Sequence, residues 1–231
     1  KKQEKKILLL FYKPKGIVCS TRQQRDEITV TEYLNYSVRI YPVGRLDKES
    51  EGLLLLTNEG DLVNRIMKAG NYHEKEYQVT VNKTVTEEFI RGMSGGVPIL
   101  DTVTRPCKVT KTGKNSFQII LTQGLNRQIR RMCEYFDYKV VTLKRVRIMN
   151  LYLDGLAEGE YREIRPEERK KLEEMLSSKR TEKETGGSHE RNIHKKNERA
   201  GRKASGSVQG VLSGGQGDYA QRGVRRAVRR T

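Results

Sequence analysis

Residues 44–58 read GRLDKESEGLLLLTN, and in this stretch the carboxylate of Asp47 stands between Arg45 and Lys48 just after a glycine. The four consecutive leucines that follow can anchor the turn in a core. The two cations favour the ionised form of Asp47. Such a carboxylate on a rigid element can serve as a nucleophile or position a charge. A surface ion pair on a loop would have the same pattern, so both interpretations stay open.

The segments around this stretch predict an α+β fold. Because strand-like segments outnumber helical ones and do not alternate strictly with them, we expect a mixed, mostly antiparallel sheet flanked by helices. Helices are predicted at Asp61–Ala69 with Gly70 as the C′ residue, at Val85–Met93 after a capping box of Thr84 and Glu87, from about Asn126, and from Pro166. Strands are predicted at Ile7–Tyr12, Val38–Val43, Leu53–Leu56, Glu76–Val81, Cys107–Lys111, Phe117–Thr122 and Val140–Ile148.

The charge of the chain predicts a polyanionic partner. With 46 Lys and Arg residues against 29 Asp and Glu residues, the 231-residue chain has a formal net charge of +17. A charge of this size indicates nucleic acid or an acidic membrane surface. Residues 179–231 hold 14 Lys and Arg residues against 5 Asp and Glu residues, a balance of +9, and hardly any large apolar side chain. We therefore expect a disordered basic tail there, either gripping phosphates or serving only solubility.

Cysteine and hydropathy patterns argue against other classes of protein. The longest apolar run, Ile7–Tyr12, is far too short to cross a bilayer, so no membrane-spanning segment is expected. Of the two polyanionic partners, we expect nucleic acid and no membrane. Cys19, Cys107 and Cys133 are odd in number and widely spaced, which favours reduced thiols in a cytoplasmic protein over disulfides or a zinc site. We therefore expect no metal site.

Residues 126–136, NRQIRRMCEYF, provide the second functional signal. The apolar positions 129, 132, 133 and 136 form one helical stripe, and Arg127, Arg130 and Arg131 fall on the opposite side. The free N–H groups at the start of this helix also favour an anion. A solvated charged face is one interpretation. The basic character of the chain favours the other, which is binding of phosphate or carboxylate.

Tyr77 is the third candidate, because it falls in strand register with Val79 and Val81. A half-buried tyrosine in a strand is the commoner fate of such a residue. The functional interpretation is a ring that stacks on a base and a hydroxyl that can move a proton.

Taken together, these stretches make the chain similar to a known family. It resembles the RsuA family of pseudouridine synthases, and within it the RluF branch, which acts on large-subunit (23S) ribosomal RNA. The resemblance covers residues 8–176. It is carried by Gly44–Asp47 with Ser50-x-Gly52-Leu53, Leu56–Asn58 with Gly60-Asp61, Lys75-x-Tyr77, Gln123-Gly124-x-Asn126 continuing to Met132, and Arg145-x-x-Ile148.

The resemblance implies a pseudouridine synthase fold with a central cleft and an enzyme that isomerises a specific uridine to pseudouridine without cofactor or metal. Asp47 matches the family's nucleophile, which attacks either the pyrimidine ring or C1′ of the ribose. Tyr77 matches a tyrosine that packs on the flipped base and is a candidate for proton transfer. Arg45 would act as a wedge or contact phosphate.

A basic residue in the segment 123–132 would pair with the nucleophile. Leu125 stands where many relatives carry arginine, so Arg127 and Arg130 both qualify. Motif position favours Arg130 for the ion pair and catalysis, with Arg127 nearer the RNA. Lys48 and Arg131 complete the expected RNA-binding set.

The resemblance also implies how the chain is organised. Residues 1–6 are expected to be a linker from a missing S4-like module, residues 7–178 the catalytic domain, and residues 179–231 the tail. We expect a cytoplasmic monomer that binds a stem-loop of ribosomal RNA, with a transfer RNA stem-loop as an open second substrate. Two alternatives are a catalytically silent RNA-binding ribosome-assembly factor with the same fold, and a basic scaffold that binds RNA through its tail.

Overall fold

A computed structural model describes residues 5–20, 26–68 and 72–177. The predicted tail at 179–231, the predicted C′ residue Gly70 and most of the predicted linker lie outside these ranges. The helices are α1 (Val30–Leu34), α2 (Gly60–Met67), α3 (Glu87–Gly95), α4 (Gln128–Tyr135) and α5 (166–177). The strands are β1 (Leu8–Lys13), β2 (Tyr41–Val43), β3 (Glu51–Thr57), β4 (Lys75–Val81), β5 (Pro98–Ile99), β6 (Thr102–Val103), β7 (Lys108–Gly113), β8 (Ser116–Leu121), β9 (Val140–Ile148), β10 (Leu151–Tyr152) and β11 (Tyr161–Glu163).

One nine-stranded sheet organises the described residues, in the order β11-β1-β3-β9-β4-β8-β7, with β2 on β3 and β10 on β9. Every pairing in it is antiparallel except that of β3 with β9. Strands β5 and β6 form a separate antiparallel pair. The predicted α+β class and mostly antiparallel sheet are confirmed.

The leucine run of β3 is buried on both faces of the sheet. Leu53 and Leu55 pack in a cluster with α2 and α5, whereas Leu54 and Leu56 pack with α1. Alternate residues of a strand point to opposite faces, so a strand covered on both sides needs a continuous apolar run. A third cluster joins β4, β7 and β8 to α3 and α4. The sheet therefore has two halves with separate cores, which meet where β3 pairs with β9.

Gly52 permits this junction. It is paired with Arg145 of β9, and its φ is +107°, a region that favours glycine. A Cβ atom at Gly52 would lie 2.2 Å from the backbone oxygen of Arg145. Any side chain there would force the two strands apart.

Local predictions near element ends are partly wrong. The capping box predicted at Thr84 does not start α3, because Thr86 is the N-cap and its side chain accepts from the backbone N–H of Phe89. A complete capping box, formed by Thr29 and Glu32, opens α1, a helix that the apolar pattern did not predict. Only Tyr41–Val43 of the predicted strand Val38–Val43 forms a strand in the structure.

Candidate active site

The loop between β2 and β3 carries Asp47 and is fixed mainly by its backbone. Gly44 turns the chain at a φ of +78°. The N–H of Ser50 donates to the carbonyl of Asp47 at 3.0 Å, and the N–H of Gly16 donates to the carbonyl of Lys48 at 2.8 Å. Buried Leu46 anchors the loop in the protein. The Asp47 side chain stays one-third exposed, so the rigid loop presents a reachable carboxylate.

Ser50 is the point at which the loop, β1 and α4 meet. It is fully buried, and its carbonyl accepts from Nζ of Lys13 at 2.8 Å. Its hydroxyl accepts from Nη2 of Arg130 at 3.3 Å. Lys13 is also fully buried and gives a second bond to the carbonyl of Pro14. Burial lowers the pKa of Lys13, an effect that nearby Cys19 and Asp47 oppose.

Arg145 ties the two ends of the Asp47 loop to β9. Its guanidinium is buried, with Nε donating to the carbonyl of Leu53 at 2.7 Å and Nη1 to the carbonyl of Arg45 at 3.4 Å. These two residues flank the loop, so one side chain constrains both its entry and its exit. Within the described ranges, Nη2 of Arg145 has no hydrogen-bond partner.

A register shift between β4 and β9 separates two neighbouring arginines. Arg145 stands opposite Tyr77, and Arg147 stands opposite Glu76. Adjacent residues of β4 point to opposite faces of the sheet, so Glu76 and Tyr77 lie on different faces. Arg147 pairs on the face of Glu76, where its Nε lies 2.6 Å from Oε2 of Glu76. Burial, together with the neighbouring Arg145, lowers the pKa of Lys75 to about 8.

Two arginines approach the same oxygen of Asp47. Nη1 of Arg127 lies 3.6 Å from Oδ2, and Nε of Arg130 lies 3.8 Å from it. The Arg130 side chain is only 10% exposed, whereas that of Arg127 is 42% exposed and also lies 3.6 Å from Oε2 of Glu49. Both candidates for the ion pair therefore lie close to the carboxylate. Arg130 approaches it as a buried side chain, and Arg127 as an exposed one.

The three arginines predicted to share one face of α4 do not do so. Arg130 is buried with the apolar residues, because its guanidinium reaches Ser50 and Asp47. Arg131 donates to the backbone and side-chain oxygens of Asn126 and does not line the cleft. Arg127 lies before the first helical turn, with a φ of +49°. The helical wheel missed these differences because it contains no information on what packs against the helix.

The cleft above Asp47 contains about 490 Å³ of empty space. Part of this space is open to solvent. Tyr77 lines it and is half-buried, and exposed Arg45 lines it without an ion-pair partner in the described part of the chain. Lys48 does not line it and pairs with Glu27 at 3.1 Å. The lining residues are Arg45, Leu46, Asp47, Ser50, Tyr77, Leu121, Gln123, Gly124, Leu125, Arg127, Gln128, Ile129, Arg130 and Leu143.

Metal-binding clusters and membrane-spanning helices are both absent from residues 5–20, 26–68 and 72–177. No cluster of three or more His, Cys, Asp or Glu side chains there is arranged to hold a metal ion. None of the helices in these ranges is long and apolar enough to cross a membrane.

Comparison with known proteins identifies the family of the chain. Residues 7–135 match the family model described as RNA pseudouridylate synthase. The chain belongs to this family. The synthase-family segment contains the loop, β4 and α4, and so includes Asp47, Tyr77, Arg127 and Arg130.

Individual relatives support the same family. A dual-specificity RNA pseudouridine synthase RluF of Salmonella typhi is 57% identical over 162 residues, which cover 70% of this chain and 56% of the relative. A ribosomal large subunit pseudouridine synthase B of Bacillus subtilis is 34% identical and covers 74% of this chain and 72% of the relative. A crystal structure of a pseudouridylate synthase superposes with a TM-score of 0.69 at 31% identity, covering 74% and 75% of the two chains. The chain thus spans under two-thirds of the length of the RluF proteins that it matches.

The sequence alone did not single out Lys13, Ser50 or Glu49 as members of this site. A signal for Lys13 was present, because it directly follows an entirely apolar strand and a lysine there must find partners in the interior. Glu49 gave no local signal, since its relation to Arg127 spans 78 residues of sequence and exists only in the fold.

Proposed function

We propose that this synthase-family protein isomerises uridine in RNA to pseudouridine, with Asp47 as the nucleophile. The observation that carries the proposal is the placement of one partly exposed carboxylate under a cleft, with buried Arg130 near it and Tyr77 in the cleft wall. A carboxylate held on a rigid loop within reach of a cleft can act as a nucleophile.

The proposed reaction conserves all atoms of the nucleoside. The Asp47 carboxylate attacks either the pyrimidine ring or C1′, and the C1′–N1 bond breaks. The uracil rotates and C1′ bonds to C5, and the bond between the nucleoside and the Asp47 carboxylate breaks. The proton on C5 then leaves, and N1 gains a proton. Because the reaction involves no net oxidation or reduction, we expect it to need no cofactor. Tyr77 would support the flipped base and is the candidate for proton transfer.

We further propose ribosomal RNA, and specifically a stem-loop of the large-subunit RNA, as the substrate. The name of the Bacillus subtilis relative specifies the large ribosomal subunit, and the name of the Salmonella typhi relative specifies dual specificity for RNA. A transfer RNA stem-loop is the candidate second substrate. We also propose a cytoplasmic location, because ribosomal RNA would be met there. We propose that the protein acts as a monomer.

The test is tritium release from RNA labelled at C5 of uridine, because bond formation at C5 displaces that hydrogen. Large-subunit ribosomal RNA and transfer RNA would be compared as substrates for the full chain and for Asp47→Asn. We expect release by the wild type and none by the variant, with at most a few-fold change in RNA affinity, because the substitution removes the nucleophile but no phosphate contact.

Other outcomes point elsewhere. RNA binding without release by the wild type would favour the catalytically silent assembly factor. Retained release by Asp47→Asn would overturn the assignment of the nucleophile. Loss of RNA binding on deletion of residues 179–231 would favour the scaffold that acts through its tail.

A further inference from the structure

We propose that Glu49 is an internal competitor for RNA phosphate, which holds Arg127 at the mouth of the cleft in the free protein and releases it to the RNA backbone on binding. This proposal rests on the proposed function. It assigns to Glu49 a role in controlling the affinity of the same site for RNA.

The geometry of Arg127 suggests a contact that can be exchanged. Its Nη1 atom lies 3.6 Å from Oδ2 of Asp47 and 3.6 Å from Oε2 of Glu49. Neither approach forms a hydrogen bond in the structure, so the guanidinium lies between two carboxylates without a fixed geometry for either. The Arg127 side chain is 42% exposed and the Glu49 side chain is 65% exposed. Solvent screens such a pair strongly, and it contributes little stability.

Arg130, in contrast to Arg127, is buried and held by a hydrogen bond. Its side chain is 10% exposed, and Nη2 is held by the hydroxyl of Ser50 at 3.3 Å. Moving Arg130 away would leave the buried hydroxyl of Ser50 without this donor, which is costly. Arg130 is therefore the permanent partner of Asp47, and Arg127 is the arginine that can leave.

An RNA phosphate is a better partner for Arg127 than Glu49 is. The planar guanidinium can form two parallel hydrogen bonds to a phosphate, and each charge-assisted bond is stronger than a loose approach at 3.6 Å. Binding also releases counterions from the RNA, which adds a favourable contribution that the carboxylate cannot offer. Arg45 lines the same cleft and has no ion pair within the described ranges, so the two arginines together provide a path for the backbone beside the target nucleotide.

If Glu49 competes with phosphate, removing its charge should tighten RNA binding through Arg127. The experiment measures the dissociation constant of a fluorescein-labelled RNA hairpin with uridines in its loop. The proteins are full-length wild type, Glu49→Gln, Arg127→Ala and the double variant. A hairpin of arbitrary sequence suffices because phosphate contacts are largely independent of sequence.

We expect Glu49→Gln to lower the dissociation constant about two- to fivefold, the range that corresponds to an exposed ion pair. Arg127→Ala should raise it and reduce the slope of log K against log salt by about one. In the Arg127→Ala background, Glu49→Gln should change the dissociation constant much less. If Glu49 competes with phosphate for Arg127, the effect of Glu49→Gln on the dissociation constant must depend on the presence of Arg127.

Glu51→Gln is the matched control for a general change in charge. Glu51 lies two residues from Glu49, carries the same charge and has no ion pair among the described residues. Equal tightening by Glu49→Gln and Glu51→Gln, or equal tightening with and without Arg127, would overturn the proposal. So would an unchanged dissociation constant in Glu49→Gln, or failure of the wild type to bind the hairpin.

Tritium release from ribosomal RNA, measured on the same proteins, separates this proposal from the proposed function. If the wild type binds the hairpin but releases no tritium, the proposed function fails. The binding measurements then still decide whether Glu49 competes for Arg127.

Discussion

The buried group beneath Asp47 and the outer cations around it differ in how they are held. The buried group comprises Lys13, Ser50, Arg130 and Arg145, whose exposed fractions are all 9% or less. The outer cations are Arg45, Lys48, Arg127 and Arg131, which are exposed or only partly buried. Members of the buried group bond to the loop or to its ends, whereas Lys48 and Arg131 pair with side chains or backbone away from the cleft.

This difference predicts a division between reaction rate and affinity. Polar groups without access to water depend on their partners, so a change in the buried group should displace Asp47 and lower the rate. Solvent-exposed charges act mainly through the screened attraction of phosphate, so a change in the outer cations should alter affinity and its salt dependence. Substitutions on each side test whether the division holds.

The largest effect in this comparison is expected from Arg130→Ala. Asp47 would lose its permanent partner, and the Ser50 hydroxyl would lose its donor. We expect kcat to fall about 10²-fold, the size typical of a misplaced reactive group, with a much smaller change in RNA affinity. Single-turnover tritium release measures the rate, and hairpin binding measures the affinity.

Arg130→Lys is the matched control, because it keeps the charge but loses the guanidinium that reaches both Ser50 and Asp47. A partial recovery of the rate by lysine would indicate that charge and geometry both contribute. If Arg130→Ala weakened RNA binding as much as it slowed the reaction, the division between the buried group and the outer cations would be wrong.

A smaller effect is expected on the pH dependence of the free energy of unfolding, and it comes from Lys75 near the buried Arg145. Its pKa of about 8 in the folded protein lies below its ordinary value of 10.5. Between these values the unfolded chain binds the proton more tightly, so this lysine makes the free energy of unfolding rise as pH increases from about 8 to 10.5. Chemical denaturation across that range should show a smaller rise in Lys75→Met than in wild type.

Lys111→Met is the comparison for this measurement, since Lys111 is an exposed lysine of β7. It should retain the rise seen in the wild type. An identical pH dependence in wild type and Lys75→Met would show that burial beside Arg145 does not disfavour the positive charge of Lys75.

The smallest effect is expected from Lys48→Ala. Lys48 does not line the cleft, and Nζ already pairs with Glu27 at 3.1 Å. We expect the dissociation constant of the RNA hairpin to rise by less than about twofold, which is below the effect of Arg127→Ala. If Lys48→Ala weakened RNA binding as much as Arg127→Ala does, Lys48 would contact phosphate directly. Its position beside Asp47 in the sequence suggested such a contact.

Prediction from sequence was most successful where one element carries its own signal. The leucine run of β3 and the β-branched pattern of β9 were assigned as strands because apolar periodicity is local. The start of α3 was misplaced, because Thr84 and Thr86 both offer a capping hydroxyl and the fold decides which one is used. The short helix α1 was missed because five residues give too little periodicity to recognise.

Sequence by itself determined the chemistry available to this protein: a carboxylate between cations, an aromatic residue in strand register, an arginine-rich segment and the family to which these motifs belong. Tertiary structure alone decided how the arginines are divided. Arg127 and Arg130 are three residues apart in the chain, yet one is exposed beside Glu49 and the other is buried against Ser50. Burial and partners arise from segments distant in sequence, and they set the strength of a charge interaction more than the identity of the residue does.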